Sequence, residues 1–230
     1  MAEQKEIKNI NKAVLFSGGG RIDIEETKAL LYDSLKGKRA AYIGAANGDR
    51  VAFFENMKTM LLRLGIKKVD FLRLARKDVD EKEVRKILKE ADIIFISGGE
   101  VEDGMKWLSI HNLCEYLKVL FNEGKQFICV SAGTIMMGSH WFSIDESKKD
   151  SNPTLIECLG IIPTVFDTHA EDEDWIELKT TLRLLGEGSI GHGIPSFGMI
   201  TADGSGNLVG YDTDILEYRY KNDNFTITVK

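Results

Sequence analysis

The sequence predicts an α/β fold: a three-layer αβα sandwich around a mostly parallel sheet, with antiparallel strands added at the C-terminal edge. Three observations carry this. Short, continuous apolar runs recur as far as Val130, and most of them end in glycine-rich turns. Segments of helical spacing separate these runs, so neighbouring strands run parallel and are covered on both faces. Beyond Leu185 the pattern changes to short strands split by turn residues, which is the mark of antiparallel pairing.

Taken in order, residues 13–17 (AVLFS) form a strand that ends in Gly18-Gly19-Gly20, and 24–35 have helical spacing. A strand over 39–43 ends in GAANGD and leads to a helix over 51–64, stopped by Gly65. Residues 69–72 make a third strand. Asp80 then caps a helix over 81–91, with Glu83 completing a start like a capping box. The fourth strand, 93–97 (IIFIS), ends in Gly98-Gly99-Glu100, and helical spacing continues to residue 120 before Gly124 stops it. Residues 127–130 are the fifth strand. Further on, 175–185 read as one more helix, and 198–202, 208–211, 215–220 and 225–229 as antiparallel strands extending the sheet at one edge. The whole chain reads as one domain over 1–230, with a polar tail over 1–12 and a C-terminal β extension over 207–230.

Composition narrows the function. With 43% hydrophobic and 29% charged residues, the 230-residue chain can bury a full core in water. A net charge of −6 argues against nucleic acid or an anionic membrane as partner. No apolar run reaches the ~18 residues of a membrane span, and the charged N-terminus lacks the apolar stretch of a signal peptide, so a cytoplasmic location is expected. Cys114, Cys129 and Cys158 are odd in number and widely spaced, which suits reduced thiols better than disulfides or a zinc site.

In a parallel α/β sheet, chemistry gathers at the loops on the C-terminal ends of the strands. One such loop follows the fifth strand, in FICVSAGTIMMG (127–138). Ser131 stands where an apolar strand breaks into Ala132-Gly133 and a helix-compatible segment, the context of a nucleophile elbow. Cys129 is the rival nucleophile, but a reactive thiol needs exposure and an electropositive setting, and a strand interior supplies neither. A serine needs a base. His169, where VFDTH opens into an acidic loop, is the first choice, His192 in GHG the second, with His140 too near in sequence and His111 structural. Asp145, Glu146 and Asp167 are candidates for the acid that orients the imidazole. Gly98, Gly99 and the Ala132 N–H suit an oxyanion hole, which requires backbone donors free of side chains.

These residues together resemble peptidase family S51, the group of dipeptidase E and cyanophycinase, which has a class I glutamine amidotransferase-like fold. The resemblance rests on Gly18–Gly20, IGAA at 43–46, SGGE at 97–100, Ser131-Ala132-Gly133 and DTH at 167–169, in that order. It implies Ser131 as nucleophile, His169 as general base, and Glu146 or Asp145 as the acid. It implies an oxyanion hole from Gly98, Gly99 and Ala132, and substrate contacts from Gly19, Gly20, Arg21, Glu100 and Thr168. The activity implied is hydrolysis of a small peptide or isopeptide of aspartyl or β-aspartyl type through an acyl-enzyme, with no metal or organic cofactor. The chain departs from the family's pattern at Cys129, where glycine is usual, at Thr134, at Glu100 and at Pro195-Ser196. An acyl-side aspartate would need a cation, for which Arg21 and Arg50 are candidates.

The remaining signals read more plainly. Gly18–Gly20 lack the Lys-Ser/Thr of a phosphate loop, and the acidic run 171–174 (EDED) suits the first turn of the following helix. The other reading of the cleft is a catalytically inactive, regulatory binder of a small ligand. An amidase would need cysteine at the centre of the elbow, where Ser131 stands. A monomer or a homodimer is expected, the latter through an exposed C-terminal edge strand.

Overall fold

Strand β1 (Lys12–Phe16) opens the chain in the computed structural model, which describes residues 12–18, 24–144 and 152–230. Gly19, Gly20, Arg21, Asp145 and Glu146, with most of the expected polar tail, lie outside the described residues. After β1 come α1 (Ile24–Leu35), β2 (Arg39–Ile43), α2 (Val51–Arg63), β3 (Lys68–Leu72), α3 (Glu81–Glu90) and β4 (Ile93–Ile96). They are followed by α4 (Val101–Ile110), α5 (Cys114–Asn122), β5 (Gln126–Val130) and α6 (Ala132–Met137). The second half holds β6 (His140–Ser143), β7 (Thr154–Glu157), β8 (Val165–Thr168), α7 (Ile176–Leu185) and β9 (Ile190–Ile194). It closes with β10 (Met199–Asp203), β11 (Leu208–Tyr211), β12 (Leu216–Lys221) and β13 (Asn224–Val229).

The main sheet has the order β11-β10-β1-β5-β4-β2-β3. β1, β5, β4, β2 and β3 are parallel, and β10 and β11 add to the β1 edge antiparallel. Side chains alternate between its faces, as the period of a strand demands. Val14, Phe16, Ile93, Phe95 and Ile128 pack with Leu31 and Leu35 of α1 and Phe54 and Leu61 of α2. Leu15, Ile94, Ile96, Phe127 and Cys129 pack on the opposite face with α3, α4 and α5 through Leu88, Leu108 and Leu117. These are the two outer layers of the predicted sandwich, and both interfaces are mainly apolar.

Three details differ from expectation. The helix read as running to residue 120 is two helices, α4 and α5. Asn112 between them takes the left-handed conformation (φ 53°), which asparagine tolerates, and the buried His111 ring bonds through Nε2 to the Leu74 carbonyl at 2.8 Å. The C-terminal strands do not all extend one edge: β12 and β13 join β9 and β8 in a second sheet, ordered β13-β12-β9-β8. Tyr218 of β12 draws them there, buried with Trp175, Leu178 and Leu182 under α7. Finally, residues 190–194 (IGHGI), assigned to no element from the sequence, form strand β9. A Cβ at Gly193 would lie 2.8 Å from the Trp175 ring, and one at Gly191 2.7 Å from Leu178. The glycines therefore let α7 lie close on β9.

Candidate active site

The segment after β5 turns sharply at Ser131, whose φ of 54° and ψ of −123° lie outside the ordinary regions for a non-glycine residue. This is the geometry of an elbow, and the surroundings make room for it. A Cβ at Gly133 would fall 2.3 Å from the Ile96 carbonyl oxygen, and one at Gly98 3.0 Å from Ser131 Cβ. The turn is pinned to the end of β1: the Phe16 carbonyl accepts from the Ser131 N–H at 3.0 Å and from Thr134 Oγ1 at 2.9 Å. Threonine at 134 thus has a purpose, a buried bond that alanine cannot make.

Ser131 Oγ lies 2.9 Å from His169 Nε2. The histidine follows β8 with a left-handed backbone (φ 47°), held by its N–H to the Ile194 carbonyl at 2.9 Å. The two residues come from different sheets, 38 positions apart in sequence. His192, the second choice of base, stands within β9. It is buried, with Nδ1 2.9 Å from Thr164 Oγ1 and Nε2 3.4 Å from Glu217 Oε2, and it is part of the packing between strands. His140 opens β6 and makes no hydrogen bond to Ser131 among the described residues.

Cys129 is fully buried in the layer of α4 and α5, and burial drives its thiol pKa far up. A thiol so placed stays protonated and unreactive. Asp167 is likewise not a partner for His169. Its carboxylate accepts from the Thr168 N–H at 2.7 Å and from Leu178 N–H, at the start of α7, at 3.3 Å. Burial outweighs these bonds and pushes its pKa up to about 7, helped by the charges of Glu177 and Glu173. No carboxylate among the described residues hydrogen-bonds to His169.

The N–H groups of Gly98 and Gly99 donate to no backbone carbonyl among the described residues, and Ala132 is the first residue of α6, where an N–H has no intrahelical acceptor. Gly99 adopts φ +143°, and a Cβ there would lie 2.1 Å from the Ala46 carbonyl oxygen. Asn47, which composition and motif did not single out, supports this loop. Its buried Nδ2 donates to the Gly98 carbonyl at 2.9 Å and to Ser97 Oγ at 3.1 Å. Glu100 precedes α4 without a side-chain capping bond, donates its N–H to the Ala46 carbonyl at 2.7 Å, and lines the cleft.

The cleft itself is open, about 1350 Å³, and reaches from Gly99 and Glu100 past Ser131 and His169 to Trp141 and Ile176. The model of Peptidase family S51 matches residues 13–195. The chain belongs to peptidase family S51. Two solved structures share its fold. One is a peptidase from an acI-B1 Actinobacterium, with a TM-score of 0.68 and 22% identity over 95% of this chain and 94% of that one. The other is a putative peptidase E protein from Listeria monocytogenes EGD-e, with a TM-score of 0.66 and 20% identity over 87% of this chain and 97% of that one. No curated protein matches the chain. As an S51 member the chain is a peptidase, and no group of three or more His, Cys, Asp or Glu residues among those described could hold a metal ion.

Proposed function

We propose that this S51 peptidase hydrolyses a short peptide or isopeptide with Ser131 as nucleophile and His169 as general base. The observation that carries the reading is the 2.9 Å contact between Ser131 Oγ and His169 Nε2 at a backbone turn that presents the serine to an open cleft. For Nε2 to take the serine proton, the neutral imidazole must hold its own proton on Nδ1. Ser131 then attacks the scissile carbonyl while His169 accepts the proton. The developing oxyanion is met by the N–H groups of Gly98, Gly99 and Ala132. Collapse of this intermediate passes the proton from His169 to the departing amine and leaves an acyl-serine. Water, deprotonated by His169, then releases the acid and restores Ser131. Glu146 or Asp145 is the proposed partner of Nδ1, and Thr168 a contact for the substrate.

An aspartyl or β-aspartyl substrate needs a cation near the acyl group. Arg50, at the start of α2, does not line the cleft, and Lys106 is the one lysine or arginine among the described residues that does.

A fluorophosphonate probe should label the wild-type protein at Ser131 and leave Ser131→Ala unlabelled. Turnover of a dipeptide panel should fall by about 10³-fold or more in Ser131→Ala and in His169→Ala. Equal turnover by wild type and Ser131→Ala would remove the serine mechanism, and a wild type inert to both probe and panel would favour the non-catalytic binder.

A further inference from the structure

The peptide that joins Gly98 to Gly99 borders the serine. A Cβ at Gly98 would lie 3.0 Å from Ser131 Cβ and 3.5 Å from Ser131 Oγ, and Gly99 lines the cleft with Ser131 and Ala132. In a trans peptide the carbonyl and the N–H point in opposite directions. Whatever holds the Gly98 carbonyl therefore also aims the Gly99 N–H. The carbonyl is turned to Asn47, whose Nδ2 donates to it at 2.9 Å. The Gly99 N–H is left on the other side and makes no hydrogen bond among the described residues.

The backbone does not enforce this choice by itself. Gly99 has a φ of +143°, and turning the peptide over by half a turn carries it to about −37°, close to the right-handed range. Glycine at both ends removes the steric bar to such a flip. A flipped peptide would show the cleft the Gly98 carbonyl oxygen, an acceptor where an oxyanion needs a donor.

Asn47 supplies the missing preference. It closes the short 3-10 turn Ala45–Asn47 after β2 and is buried. Its Oδ1 accepts from the Arg50 N–H at 3.1 Å, so the acceptor end of the amide is committed and Nδ2 must face β4. The two protons of Nδ2 go to the Gly98 carbonyl and to Ser97 Oγ at 3.1 Å. A flipped peptide would set the Gly99 N–H against this Nδ2, donor against donor, at a buried site where an unpaired donor is costly.

We infer that Asn47 is a positioning residue: by donating, it holds the Gly98–Gly99 peptide in the one orientation that offers the Gly99 N–H to an oxyanion. The orientation stands on geometry alone, while its catalytic consequence rests on the proposed serine mechanism, so the two can fail separately.

Asn47→Asp is the discriminating variant. The side chain keeps its size and still accepts from Arg50, but its carboxylate accepts where Nδ2 donated and so favours the flipped peptide. A crystal structure of the variant should show the Gly98 carbonyl turned into the cleft. With the dipeptide that the wild type cleaves fastest, kcat should fall by about 100-fold or more, as for loss of an oxyanion donor, and KM should stay within about threefold. Asn47→Ala, which removes the donor and adds no acceptor, should lose about tenfold. Ser97→Ala deletes the other acceptor of Nδ2 at the same buried spot and should keep kcat within about threefold. An unflipped peptide in Asn47→Asp, a kcat within about threefold of wild type, or a loss carried by KM alone overturns the inference. So does an equal loss in Ser97→Ala, which would make the cluster merely structural. Should Asn47→Asp not fold, the contrast between Asn47→Ala and Ser97→Ala decides the matter. If the wild type cleaves no dipeptide, the peptidase reading falls and the crystal structure of Asn47→Asp decides alone: a flipped peptide upholds Asn47 as the residue that sets it, and an unflipped one does not.

Discussion

Ser131 occupies a backbone conformation that costs of order 1–3 kcal/mol and persists only because its surroundings leave no alternative. The glycines beside it are the means. Gly133→Ala would drive a methyl into the Ile96 carbonyl, and Gly99→Ala one into the Ala46 carbonyl. Each should destabilise by about 2–4 kcal/mol in denaturant titrations, since backbone cannot yield as a flexible side chain does. Cys129 makes the opposite prediction: iodoacetamide should modify the half-buried Cys114 in the native protein and reach Cys129 only on unfolding. At this scale the elbow was legible, because strand, serine and small residues are contiguous. Asn47 was not. Its contribution depends on Ser97 and Gly98, 50 and 51 positions away, and no local pattern records such a contact.

Helix α3 shows what a local signal can decide. Asp80 accepts from the N–H groups of Lys82 and Glu83 at 3.0 and 3.1 Å, as its position before EKEVRKIL leads one to expect. Asp80→Ala should cost about 1 kcal/mol in thermal or denaturant unfolding. Helix α7 is started differently. Trp175, its N-terminal flanking residue, offers no side-chain cap, and the carboxylate of Asp167 reaches in from β8. This was unreadable in sequence, where the acidic run 171–174 looked like the first turn. Glu171 instead accepts from the Ser196 N–H at 2.9 Å, and Asp174 pairs with Lys179 at 2.8 Å. Because burial raises the folded pKa of Asp167 to about 7, the native state binds the extra proton. Its stabilising contribution is complete below the ordinary carboxylate pKa of ~4 and is lost as pH rises through about 7. Asp167→Asn should flatten that part of the stability profile, measured as Tm between those limits.

Across the whole molecule, the parallel sheet and its two helical layers followed from apolar runs and helical spacing, signals that burial on both faces writes into every strand. The partition of the last strands between two sheets did not, because alternation shows that a strand has a buried side but not what buries it. Glu217 marks the partition. It is 4% exposed within β12, ion-paired to Arg219 at 2.7 Å and to Lys230, with His192 at 3.4 Å. Burial alone would raise its carboxyl, but Lys230 and Arg219 outweigh that and hold it at about 2. With its folded pKa depressed, Glu217 stabilises the fold above the ordinary pKa of ~4.3, and this is lost as pH falls towards about 2. Glu217→Gln should lower stability by about 1–3 kcal/mol at neutral pH and weaken the acid dependence, as read by denaturant unfolding at pH steps through that window.

Ser131 and His169 stand on opposite sides of the seam between those sheets, so their 2.9 Å contact acts as a ruler laid across it. The seam is tied by main-chain bonds from Phe197 to Gly18 at 2.9 Å and from Ser139 to Thr164 at 2.7 Å, and by Ile135 and Met136 of α6, which share a core cluster with Phe166 of β8. In the proposed mechanism, a parting of the sheets by a single ångström would silence the pair while leaving every strand intact. Loss of turnover on warming should therefore precede loss of far-UV ellipticity, and the enzyme's own activity becomes the most sensitive gauge of how firmly its two halves are joined.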